Sequence, residues 1–177
     1  MRLLFVSLAL FLFPVPVVAL TGDIKKDPTE MVKQYLMLDQ NGARLDALSF
    51  ETMKPYINWK DEPAWGHAVV ILGYTMAMEI KQWEVISDIE VLIPVKFRVL
   101  GLVYWETASF LPESGEIEVK FRIKGFKERW RIIDPILPPH VGQKRMINYV
   151  RQAMLDEKDP SRLATLTALR DDLKNAK

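Results

Sequence analysis

The sequence predicts an α+β fold in which a curved antiparallel sheet wraps around N-terminal helices and two further helices follow the sheet. Three observations carry that prediction. Apolar residues recur at helical spacing at the two ends of the chain, whereas the middle changes to a period of two. Asp-Pro helix starts stand near each end, at Asp27-Pro28 and Asp159-Pro160. Glycines interrupt the long alternating runs, at Gly73 and Gly101, where a strand can bend.

The chain opens with Met1-Arg2, an apolar run over residues 3–13, and then Pro14, Val15, Pro16, Val17, Val18 and Ala19. A short basic start, an apolar stretch and a small-residue end make a secretory signal peptide. Val17 and Ala19 suit the two positions a signal peptidase reads, so cleavage is expected after Ala19. Removing those 19 of 177 residues leaves 158, with 23 basic and 23 acidic side chains. The rival reading is an uncleaved anchor, since residues 3–20 carry no charge. A spanning helix needs about 20 apolar residues, and Pro14 and Pro16 interrupt this stretch. The chain holds no Asn-x-Ser/Thr acceptor and no cysteine for a lipid anchor. A bacterial periplasmic or secreted location is expected, with no membrane contact once the signal is gone.

Residues 20–26 form a polar leader. Asp27-Pro28-Thr29-Glu30 starts a helix, Met31, Val32, Tyr35 and Leu36 continue it, and Gly42 ends it. A short helical turn begins at Ser49 and fails at Pro55. A loop follows, in which Trp59 and Trp65 flank Asp61 and Glu62; the indoles either pin it to the sheet or form a lid. From His67 the period becomes two. Residues 68–72 are apolar, and Tyr74, Met76, Met78 and Ile80 alternate with Thr75, Ala77 and Glu79. After a turn near Gln82, Ile89, Val91, Ile93, Val95, Phe97 and Val99 share one face, with Asp88, Glu90, Lys96 and Arg98 opposite. The strand runs on through Trp105, and Pro112-Glu113-Ser114-Gly115 reads as a turn. Ile117, Val119, Phe121 and Ile123 form the next apolar face, and Gly125 opens a hairpin into Trp130-Arg131-Ile132-Ile133-Asp134. Pro135, Pro138 and Pro139 stop the sheet. Helices are expected over about 141–155, with Ile147, Val150 and Met154 in phase, and from Asp159, with a stripe of Leu163, Leu166, Leu169 and Leu173. That stripe is expected to dock on its own domain or on a second copy.

Composition narrows the chemistry. Hydrophobic residues make up 49% and charge is nearly balanced, which excludes a disordered chain and argues against a nucleic-acid partner. The two histidines, His67 and His140, are too few for a multi-histidine metal cage. No phosphate loop, zinc-protease or nucleophile-elbow signature occurs, and no cofactor or metal is expected.

With its leading helices, long bent strands and closing Trp130-Arg131-Ile132-Ile133-Asp134, the stretch 27–137 resembles the nuclear transport factor 2-like (SnoaL-like) superfamily. The resemblance implies a curved sheet folded around helices into a cone with a deep pocket. With the signal (1–19) and leader (20–26) read above, the chain divides into those two, an α+β domain (27–137) and a C-terminal helical extension (138–177). The resemblance also implies dimers formed through the outer sheet face. Here Glu116, Glu118, Lys120, Arg122 and Lys124 occupy that face, and interface cores are depleted in charge.

Candidate site residues follow from phase. Asp134 shares parity with Trp130 and Ile132, so it can point into the pocket as a general acid or base. Alternatively it ends the strand before Pro135 and bonds the next turn. Tyr74 offers a phenol within an apolar lining, and His67 sits where a loop enters a strand. Trp65, Tyr74, Met76, Phe97 and Trp130 are the expected pocket lining. Three functional readings stand: a non-enzymatic exported module binding a small hydrophobic ligand or a protein partner, with a homodimer possible; a cofactor-free isomerase, dehydratase or hydrolase using Asp134 with Tyr74 or His67; and an envelope-assembly subunit anchored by a retained N-terminus.

Overall fold

A computed structural model describes residues 27–45, 49–61, 63–127 and 129–177; the expected signal and leader lie outside the described residues. Helix α1 (Pro28–Gln40) starts as its sequence dictates, with the Asp27 carboxylate accepting from the Thr29 N–H at 2.8 Å and proline in the first turn. Glu30 accepts from Gln34 Nε2 at 3.1 Å rather than reaching back to the cap. The helix ends where Gly42 takes φ +77°. A 3-10 turn (Ala43–Leu45) and short α2 (Ser49–Met53) follow.

Six strands form one strongly curled mixed sheet: β1 (His67–Met76), β2 (Glu84–Ser87), β3 (Glu90–Tyr104), β4 (Ser109–Phe126), β5 (Arg129–Asp134) and β6 (His140–Gly142). The order is β5-β4-β3-β1-β6, with β2 also pairing β3. Neighbours are antiparallel except β6, which runs parallel to β1 through Val69↔His140 and Val70↔Val141. Helices α3 (Gln143–Asp156) and α4 (Pro160–Asn175) complete the α+β architecture. Asp159 caps α4 by accepting from the Ser161 N–H and hydroxyl, both at 2.9 Å. Among the described residues no helix is long and apolar enough to cross a membrane.

The curl comes from bulges. In β1 the pairs Ile71↔Val99 and Gly73↔Arg98 leave Leu72 as an extra residue. In β3 Leu100 is extra against β1, and between the neighbouring pairs Val99↔Gly115 and Gly101↔Pro112 two β4 residues, Glu113 and Ser114, stand against Leu100 alone, one extra residue in β4. Pro112–Gly115, expected as a turn, is therefore a bulge inside an 18-residue strand. The reversal lies at residues 105–108, where Ala108 takes φ +47°. Pro112 is tolerated because β5 reaches only residues 122–126 of β4 and leaves the rest an edge. Gly101 has no substitute: a Cβ there would sit 2.2 Å from the Leu111 carbonyl oxygen.

Each bulge changes which face a side chain takes, and the sheet buries two faces. On the concave side Val32, Tyr35 and Leu36 of α1 meet Ile93, Val95, Phe97, Phe121, Ile123 and Ile132. On the convex side Ala68, Val70, Leu100, Val103 and Val141 meet Met146 and Val150 of α3 and Leu166, Leu169 and Leu173 of α4. The leucine stripe thus docks on its own domain, with Leu163 left 37% exposed. Two expectations are corrected here. The stretch after the prolines is not purely helical, since β6 joins the sheet through β1. The alternation after Tyr74 stops at Met76, so Met78 and Ile80 stand on the 3-10 turn Ile80–Gln82 and its approach, 56% and 58% exposed.

One buried ion pair ties the helical and sheet layers together. Arg44 lies 3.5 Å from Asp39 with both side chains almost fully enclosed. Arg44 also donates to the Tyr35 hydroxyl (3.3 Å) and the Leu137 carbonyl (2.6 Å), while Asp39 accepts from the His140 N–H (3.1 Å). Removing one partner strands the other charge in the core, so Arg44→Met is expected to cost about 3–5 kcal/mol in urea unfolding. The double variant Asp39→Leu/Arg44→Met should recover most of that loss. Truncating the best-buried leucine of α4, Leu173→Ala, should cost about 2–5 kcal/mol by the same measurement, whereas Leu163→Ala should cost well under half as much.

Candidate functional site

The concave face is filled at its centre. Tyr35 packs edge-on against Phe121 (6.0 Å between centroids) and Trp59 (6.4 Å), and Phe97 lies against Phe121 (6.4 Å) and the His140 ring (4.5 Å). Trp59 is buried and pins its loop beneath Arg44, 5.5 Å from the ring. Phe97, expected to line the pocket, is buried in the packed core.

The expected catalytic residues do not converge. Asp134 faces solvent, its side chain 61% exposed and 3.9 Å from Arg122. The cause is a bulge: the pairs Ile123↔Ile132 and Arg122↔Asp134 leave Ile133 extra, so Asp134 loses the parity it would share with Trp130 and Ile132. That corrects its inward orientation and leaves it on the outer face. His67 and Tyr74 are seven residues apart on β1, about 20 Å along an extended strand. His67 sits between the rings of Trp65 (6.4 Å) and Tyr104 (5.7 Å) at the start of β1. Tyr74 is half-buried beside Phe97 (6.4 Å), and burial raises its phenol above the usual value. Met76 is half-buried on the same rim.

Of the expected lining residues, Trp130 does border an open cleft. The cleft holds about 540 Å³ between the start of α1, the segment after α2, and β5. Its apolar side is Met31, Pro55, Tyr56 and Trp130; its rim is Asp27, Glu30, Gln34 and Arg129. The walls are held firmly. The Ile132 N–H donates to the Tyr56 carbonyl (2.8 Å), and the Asn58 N–H donates to the Ile132 carbonyl (2.9 Å). Arg131 donates from outside to the carbonyls of Lys54 (2.9 Å) and Ile57 (3.1 Å). The sequence marked Trp130 through its phase, but the helix-phase residues Met31 and Gln34 and the rim cation Arg129 gave no signal of their own. Trp65 borders a separate, smaller cleft of about 270 Å³ with Trp105 and Tyr149.

Among the described residues no group of three His, Asp or Glu side chains is placed to hold a metal ion. On the outer face charges pair across strands. Glu90 bonds Arg122 and Lys124, and these hold its carboxyl below the usual range. The chain matches no family model, no curated protein and no solved structure.

His140 is the buried ionisable ring of the core. Burial lowers its pKa to about 4; the nearby charges of Arg44 and His67 act in the same direction, and the Pro138 carbonyl, 2.8 Å from Nδ1, opposes them. Because the folded value lies below the ordinary 6.5, the unfolded chain takes up a proton that the folded core refuses. Stability should be constant above pH 6.5 and fall by up to about 3 kcal/mol as pH drops through 6.5 toward 4. The lowered carboxyls of Glu90, Asp159 and Asp171 act below that window. Urea midpoints between pH 7 and 4.5 check this, and His140→Gln should flatten the slope.

Proposed function

We propose that this chain is an exported, nuclear transport factor 2-like binding module, and that it takes a ligand with an apolar body in the cleft under Trp130. The observation that carries this reading is the make-up of the cleft: an apolar side on fixed walls, ringed by a few polar groups, with a volume in the range of small-molecule sites. The curled sheet around α1, with the concave core filled, supports a family-like scaffold whose binding site has moved to the cone's edge. The two C-terminal helices, which the resemblance does not include, brace the opposite face. The expected signal peptide would make the chain an exported module, and among the described residues Asp134, Tyr74 and His67 do not converge on one site. An acid–base enzyme would draw on Asp134, and its exposure on the outer face speaks against that use.

Native mass spectrometry of protein recovered from the producing cell is expected to show a co-purified apolar ligand. The neutral fluorophore N-phenyl-1-naphthylamine should bind saturably to the purified protein. Gln34→Trp projects an indole into the cleft from a half-buried helix position and should leave the thermal midpoint nearly unchanged. That variant is expected to weaken fluorophore binding by about tenfold or more; unchanged binding would place the site elsewhere.

A further inference from the structure

Several cations on the outer sheet face lie beside carboxylates of other strands. Lys96 meets Glu118 (3.8 Å), Lys120 meets Glu84 (3.6 Å), and Lys124 and Arg122 share Glu90. The tip of the β4–β5 hairpin breaks this pattern. Lys127, Arg129 and Arg131 border an open cleft of about 740 Å³ together with Asn58 and Phe126, and among the described residues no carboxylate lines it. Residues 127–131 set three cations against one acid, Glu128, which lies outside the described residues. Arg131 is held by the carbonyls of Lys54 and Ile57. Lys127 and Arg129 have no carboxylate partner among the described residues.

Arg129 also borders the apolar cleft, so the two clefts meet at one residue. Strand alternation explains the junction. Trp130 and Ile132 turn inward while Arg129 and Arg131 turn outward, which sets an apolar surface and a cationic one on either side of the same short strand.

We infer that the ligand is an amphiphile with an anionic head group, its apolar body in the cleft under Trp130 and its head at Lys127 and Arg129. This rests on the binding reading above and adds the charge of the ligand to it. Arginine and lysine both bond phosphate and carboxylate oxygens strongly, and a half-enclosed cationic rim attracts anions over roughly a Debye length, about 8–10 Å. The paired cations of the central outer face, Lys96, Lys120, Arg122 and Lys124, already hold carboxylates and are less available to a ligand's head group.

Three probes, each below its micellar concentration, separate the possibilities: dodecyl phosphate, neutral dodecyl maltoside and inorganic phosphate, titrated calorimetrically into the full folded chain. Dodecyl phosphate is expected to bind about tenfold more tightly than dodecyl maltoside at low salt, with the preference shrinking in about 0.5 M NaCl. The Lys127→Gln/Arg129→Gln variant should lose most of that preference. Equal affinity for the two dodecyl compounds, or a preference that survives in the double variant, overturns the inference and leaves the apolar-cleft reading standing. Failure of both dodecyl compounds to bind removes the cleft reading itself. Inorganic phosphate binding as tightly as dodecyl phosphate would make the hairpin tip a free-anion site and overturn the amphiphile.

Discussion

The Asp39–Arg44 pair at the end of α1 is the constraint on which the rest of the arrangement depends. It joins the C-terminal turn of the first helix, the following 3-10 turn, and the segment that leads from β5 into β6. It fixes where the segment into β6 passes beside α1, while the ladder to β1 and the burial of Val141 hold the short parallel strand itself. Buried ion pairs are seldom net stabilisers compared with apolar replacements, but they permit few alternative geometries. Here the geometry is what matters, because Asp39 reaches the backbone of His140 across 101 residues of sequence.

The sheet's shape follows from a second constraint, the close approach of β3 and β4 at Gly101. The Leu111 carbonyl stands where any Cβ would be, and the adjoining extra residues force a corner in neighbouring strands. A sheet bent there closes over α1 on its concave side and presents Val70, Leu100 and Val103 to α4 on the other. The domain therefore buries two apolar clusters with one sheet. The central concave space is spent on packing, and open space is left where α1, the segment after α2 and β5 meet at the margin.

That margin is also where the charge pattern of the surface changes. Across the middle of the outer face, oppositely charged side chains on different strands meet, an arrangement worth little per pair but favourable to solubility. Near the hairpin tip the β4 residues facing Arg129 and Arg131 are Phe126 and Lys124, so the partner strand sets no carboxylate opposite them. An apolar cleft and a cationic lip thus adjoin at Arg129, which is the basis for reading the two as one site.

The sequence by itself determined what is local. Asp27-Pro28 and Asp159-Pro160 start their helices because capping needs only neighbouring residues, and Gly42 ends α1 for the same reason. The alternation from Val91 to Val99 and from Phe121 to Ile123 marked the inner face correctly, since strand pleat has a period of two. Tertiary structure decided everything that depends on an extra residue in a pairing. One extra residue at Ile133 turned Asp134 to solvent, and one extra residue at Glu113-Ser114, opposite Leu100, made a bulge from a stretch with turn composition. It decided too that Asp39, Arg44 and His140 would meet. Each is unremarkable in its own segment, and only the docking of α1 against β6 brings them together, because long-range pairing of charge leaves no periodic trace in a sequence.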